Sequence, residues 1–125
     1  MQVEYIVEGD FTKVNGAAAA EKLLALKDHP TAIFCCDDLM ALGAWDVIEK
    51  KGLKVGKDIS LAGFDDIEEA SIAPYSLTTM RQDFNELSTQ AVGLLLKKIK
   101  NSDDWKPQHI LLPTQLIVRR STGKA

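Results

Sequence analysis

Little in this chain marks a specialised surface or compartment. It carries only two cysteines, Cys35 and Cys36, adjacent in a strand-like run, so their side chains point to opposite faces and no disulfide is expected between them. They read as buried apolar thiols of a reducing cytosol, and a cytoplasmic location is expected. Basic residues are not in excess: the net charge of −3 supplies no electrostatic footprint for nucleic acid or an anionic membrane surface. No apolar run approaches the roughly 20 residues needed to span a bilayer. The opening Met1-Gln2-Val3-Glu4-Tyr5 lacks the basic-then-apolar pattern of a secretory signal. There is no glycine-rich phosphate cradle and no serine in a nucleophile elbow. His29 and His109 lie in connectors, far apart, with no ligand spacing. These absences speak against an enzyme and against a metal site, and no cofactor is expected.

What is present is an ordinary soluble composition and one conspicuous pattern. At 125 residues, 46% hydrophobic and 26% charged, the chain can bury a real core as one domain. Two strand-like runs each end in a pair of aspartates: Thr31-Ala32-Ile33-Phe34-Cys35-Cys36 leads to Asp37-Asp38, and Ile59-Ser60-Leu61-Ala62-Gly63-Phe64 to Asp65-Asp66. The chain between them suffices for a helix and a return, a βαβ unit. Parallel strands bring their carboxyl ends to one edge, where open α/β sheets bind ligands.

The remaining segments extend that pattern. Val3–Val7 reads as a strand, and Thr12 or Asn15 caps an alanine-rich helix ending near Lys27, before Pro30. Thr31–Cys36 is continuously apolar, as a strand buried on both faces is. A helix follows to about Lys51, with Gly52 as its left-handed terminator. Ile67–Ser76 is a loop with room for one helical turn, and Leu77–Met80 is short and extended. Asp83 caps a long amphipathic helix with Phe84, Leu87, Ala91, Leu94, Leu95 and Ile99 on one face. Ile110–Val118 is a last strand that Pro113 confines to an edge, a bulge or a crossing. The order predicts α/β architecture with a doubly wound, mostly parallel sheet. It opens on a strand and closes through extended connectors, as part of something larger would.

Four blocks resemble one family. Cys36-Asp37-Asp38-Leu39-Met40-Ala41-Leu42-Gly43-Ala44, the run from Gly52 through Asp58-Ile59-Ser60 to Gly63-Phe64-Asp65-Asp66, and Pro74-Tyr75-Ser76-Leu77-Thr78-Thr79-Met80-Arg81-Gln82 are similar, in order and spacing, to segments of the lactose/galactose repressor family of bacterial transcription regulators. Gly9-Asp10-Phe11 fits the start of its preceding helix. The resemblance implies a periplasmic-binding-protein-like, flavodoxin-like lobe over residues 1–125, truncated at its start and without the DNA-binding headpiece. It also implies that the helix and connectors over residues 83–113 pack on the N-terminal lobe in the full-length protein.

The resemblance further implies a small-molecule effector, a sugar, held between two lobes. Asp65 corresponds to the family's effector-binding aspartate, and Asp37 to its Asn/Asp at the strand end, leaving the helix cap to Asp38. Asp66 is expected to cap Glu68-Glu69-Ala70. Phe11 either walls the pocket or staples the first helix, and Phe84 is either a second apolar wall or the first core residue of its helix. The function expected is a fragment of a sugar-responsive transcriptional regulator, homodimeric, with exchange of the 83–100 helix as one route to the dimer. A lobe of a periplasmic sugar-binding protein and a stand-alone flavodoxin-like interaction domain are the alternatives. Operator DNA would be reached only through the headpiece. The 125-residue chain is therefore expected not to bind duplex DNA; a salt-sensitive shift of a duplex in a gel or polarisation titration would contradict this.

Overall fold

The computed structural model describes residues 5–100 and 105–123. Its elements are α1 (Lys13–Leu24), β1 (Ala32–Phe34), α2 (Asp38–Lys50), β2 (Ser60–Asp65), a 3-10 turn (Glu68–Ser71), β3 (Thr78–Arg81), α3 (Phe84–Lys100) and β4 (Gln115–Ile117). The sheet order is β1-β2-β3-β4. β1 runs parallel to β2 with Phe34 opposite Ala62, and β2 parallel to β3 with Asp65 opposite Arg81. The carboxyl ends of these three strands thus share one edge, as the repeated strand–aspartate pattern requires. The chain divides into two units, Met1–Arg81 with Leu116–Ala125, and Gln82–Gln115.

Local chemistry explains the helix ends of the first unit. Thr12 caps α1, its side chain accepting the Asn15 N–H at 3.1 Å. α2 stops before Gly52, whose φ of 82° places it in the left-handed region. The core is built by α2, which buries Met40, Leu42, Trp45, Val47 and Ile48, against Ile59, Leu61 and Leu77 of the sheet side. α1 lies on α2 through two glycines. A Cβ on Gly16 would strike the backbone of Met40, and one on Gly43 the backbone of Lys13. The two helix backbones therefore meet where side chains would otherwise hold them apart. Lys13 sits at this contact, 2.9 Å from Asp46 and donating to the Tyr75 hydroxyl at 2.8 Å. Those hydrogen bonds, Tyr75 first and Asp46 second, outweigh desolvation and raise the Lys13 ammonium above its ordinary range.

Three expectations need correction here. Tyr5–Val7 is not a strand; Val3 lies outside the described residues. A strand needs a ladder partner, and among the described residues this segment pairs with none of the four strands of the sheet. β1 is not buried on both faces: Ile33 is buried, but Phe34 is 61% exposed. The last strand is only Gln115–Ile117, beginning beyond Pro113, which lacks the N–H a ladder needs.

In the second unit, Asp83 caps α3, its Oδ1 accepting the Glu86 N–H at 2.9 Å, and Lys97, Lys98 and Lys100 suit the negative end of the helix dipole. None of the residues of α3 is buried, and Phe84, Leu87, Leu95 and Ile99 are exposed.

Glycine substitutions in α2 and in α3 are expected to have opposite effects. Gly43→Ala forces the α1 and α2 backbones apart and is expected to destabilise by about 1–3 kcal/mol in urea unfolding, the usual cost of overpacking. Gly93→Ala, which meets nothing within 4 Å in α3, is expected to lose no stability and to gain helix content. The cysteines also separate. Cys35 is buried, and its burial pushes the thiol up to about 12, whereas Cys36 is exposed. Cys36 is expected to react with a thiol reagent in the native protein at pH 8, and Cys35 only after unfolding.

Candidate functional site

The site begins at one edge of the sheet. Asp37 follows the end of β1 as the N-cap of α2 and Asp65 ends β2, so both come off the carboxyl ends of neighbouring parallel strands. The two aspartates of each pair then divide the work in a way the sequence does not disclose.

Asp37, not Asp38, caps α2: its Oδ1 accepts the Met40 N–H at 2.8 Å, and its backbone is extended. Asp38 is the first residue inside the helix and has no exposure. Its Oδ1 accepts from the Thr79 hydroxyl at 2.6 Å, and its Oδ2 from the Ile67 N–H at 2.9 Å. A buried carboxylate without such partners would cost several kcal/mol. Burial raises the Asp38 carboxyl above its ordinary range, against the hydrogen bonds from Thr79, Ile67 and the Asp66 backbone, with the nearby Asp65 charge adding to the rise. The space for this carboxylate exists because position 63 is glycine; a Cβ there would collide with Asp38 Oδ1.

Asp65 ends β2 with φ at 111°, and Asp66 follows with φ at 59°, two consecutive non-glycine residues in the left-handed region. Aspartate tolerates that region better than most residues, because its short side chain bonds locally. Asp66 does not cap the 3-10 turn, whose N-cap position is Ile67 and which has no side-chain cap. Its carboxylate instead meets Arg81 Nε and Arg119 Nη2, each at 2.6 Å. Burial would raise this carboxyl, but the hydrogen bonds and charges of Arg119 and Arg81 hold it below the usual carboxylate range.

Phe11 precedes α1 with φ at 61° and a largely exposed ring. It lines a cavity of about 500 Å³ with Val7, Ala20, Phe34, Cys36 and Met40 among its walls. Neither Asp37 nor Asp65 lines that cavity, which runs along β1 and not along the aspartate edge. Phe84 begins α3 in the second unit. The structure therefore brings Asp37 and Asp65 to one edge, with Phe11 on the loop that enters α1. Sequence reasoning missed Arg119, Thr79 and Gly63 as parts of this edge. The signals were slight: a glycine before Phe64-Asp65, and arginines after the last strand. Among the described residues no group of three His, Cys, Asp or Glu side chains could hold a metal ion. No helix among them is long and apolar enough to cross a membrane.

Comparison with known proteins places this geometry. The periplasmic binding protein-like domain family matches residues 2–122. The HTH-type transcriptional repressor PurR of Mannheimia succiniciproducens is 38% identical over 124 residues, covering 99% of this chain and 37% of that protein. The repressor CytR of Escherichia coli is 40% identical, covering 95% and 35%. Among solved structures, the Lac repressor dimer bound to operator and the anti-inducer ONPF superposes with a TM-score of 0.83 at 38% identity, over 94% of this chain and 40% of that one. A LacI family regulator from Enterococcus faecium with bound ribose gives a TM-score of 0.75 at 30% identity, over 92% and 42%. The chain thus spans little more than a third of these curated relatives. It belongs to the periplasmic binding protein-like domain family, and it is homologous to the effector-binding domain of the LacI-family transcriptional repressors.

Proposed function

We propose that this chain is the effector-binding lobe of a cytoplasmic, sugar-responsive transcriptional repressor and has no enzymatic role. The observation that carries the reading is the pair Asp37 and Asp65, one following β1 and the other ending β2, at the carboxyl ends of neighbouring parallel strands. A sugar presents adjacent hydroxyl donors, and a carboxylate accepts two of them in a fork. Asp65 is the principal ligand; Asp37 contributes from its cap position. Phe11, exposed beside α1, offers a ring on which the C–H face of a sugar stacks. The relative with bound ribose supports the ligand class.

The helix and connectors over residues 83–113 belong, in this reading, against a second lobe. The uncovered apolar residues of α3 support it, since large side chains gain about 1.5–3 kcal/mol each on burial. In the chain by itself a second copy takes that place, giving a homodimer by exchange of the 83–100 helix. DNA is met through a headpiece, and the effector acts by favouring one arrangement of the lobes.

Calorimetry with a panel of pentoses and hexoses tests the ligand assignment. The 125-residue chain alone is expected to give negligible heat, because one lobe supplies only one wall of the cleft and so too few contacts to offset the cost of association. The protein extended to the length of its relatives is expected to bind one sugar of the panel. Asp65→Ala is expected to weaken that binding at least tenfold, since a charge-assisted hydrogen bond contributes about 1.5–3 kcal/mol. An extended protein that binds no sugar, or an Asp65→Ala variant that binds as tightly, contradicts the reading.

A further inference from the structure

The turn after β2 holds Asp65 and Asp66 both in the left-handed region. Such backbone is unfavourable for a residue with a Cβ and persists where its surroundings over-determine it. From inside, Asp38 Oδ2 accepts the Ile67 N–H. From outside, the Asp66 carboxylate, 6% exposed, accepts from Arg81 through Oδ2 and from Arg119 through Oδ1.

The two arginines occupy particular places along the chain. Arg81 is the last residue of β3 and of the first unit; beyond it the chain enters Gln82–Gln115 and returns at Leu116, shortly before Arg119. Arg81 is also the ladder partner of Asp65. Arg119 is fixed to the start of β3 by its own bonds. Its Nη1 donates to the Leu77 carbonyl at 2.8 Å, and its backbone N–H donates to Thr78 Oγ1 at 2.9 Å. One carboxylate therefore ties together the outgoing strand, the returning segment and the turn that carries Asp65. An exposed ion pair does little. The Arg119 arm is shielded, with Arg119 only 17% exposed, and loss of its partner leaves a charge uncompensated; Arg81, 51% exposed, is the weaker arm.

We propose that Asp66 is a positioning residue: by gripping Arg81 and Arg119 together it holds Asp65 in its left-handed conformation and couples the Asp65 turn to both strands that connect the two units. A ligand on Asp65 then reaches both connectors through a single side chain; that consequence rests on the ligand role proposed above, whereas the coupling does not. Both arginines help keep Asp66 ionised, so the grip holds at neutral pH.

Amide hydrogen exchange and backbone chemical shifts of the 125-residue protein test the coupling without any ligand. Asp66→Asn keeps the side-chain volume and removes the charge. It is expected to speed exchange about tenfold or more at Asp66, Arg81 and Arg119 together, while the amides of α2 keep their protection. The Asp65 shifts are expected to leave the left-handed range. Arg81→Gln is expected to loosen the β3 end and leave Arg119 protected, and Arg119→Gln to do the reverse. The proposal is overturned if Asp66→Asn loosens only one connector, if Asp65 keeps its conformation, or if α2 loses protection equally. No sugar enters this measurement, so a failed sugar titration counts against the ligand reading and leaves the coupling standing.

Discussion

Asp38 is a carboxylate with no contact with water, and four parts of the first unit meet on it. It opens α2, so its backbone belongs to the helix that makes the core. Its oxygens take the Thr79 hydroxyl from β3 and the Ile67 N–H from the turn after β2. The fourth part is Gly63, whose missing side chain leaves room for the carboxylate beside β2. A polar network in a dry interior is unforgiving: fully satisfied it selects one arrangement, and half satisfied it costs more than an apolar core. Asp38 also bears on Asp37 and Asp65, because its bonds tie the start of α2 to β3 and to the turn that follows Asp65.

The C-terminal stretch is knitted in by a second buried network. Ser121 has no exposure; its hydroxyl donates to the Leu61 carbonyl at 2.6 Å and accepts the Thr78 N–H at 2.7 Å. Its backbone carbonyl accepts the Leu61 N–H at 2.8 Å. β2 is not yet paired with β3 at Leu61, since their register starts at Ala62. Ser121 therefore fills the gap at the beginning of that ladder, and the returning chain satisfies backbone groups that would otherwise be buried without partners. This is why Arg119 can be held rigidly enough to meet Asp66.

What could be read beforehand was local. The caps at Thr12 and Asp83, the terminator at Gly52 and the parallel order of β1, β2 and β3 depend on neighbours a few residues away or on a period of apolar residues. The roles inside the aspartate pairs were not legible. Asp37 and Asp38 are equally good caps by type, and only the tertiary position of Thr79, 41 residues on, draws Asp38 inward. Asp66 was misjudged for the same reason, because Arg119 lies 53 residues away and no pattern links the two. Tyr5–Val7 has the composition of a strand, but pairing is a property of two segments, and composition describes one. The family resemblance was legible because its blocks sit at strand ends and helix starts, where backbone geometry narrows the choice of residue.

The exposed flank of β1 has a consequence for handling this protein. Among the described residues β1 has a strand on one side only, and Phe34 and Cys36 stand uncovered near it. An unpaired strand margin with an apolar ring is a template on which another chain can add, and it differs from a folded interface in being nearly indifferent to sequence. Its brevity, Ala32–Phe34, limits the number of hydrogen bonds such an addition could make. Association there would be shallow and strongly concentration-dependent, and a bulky label on Cys36 would obstruct it sterically while leaving the aspartate edge chemically intact.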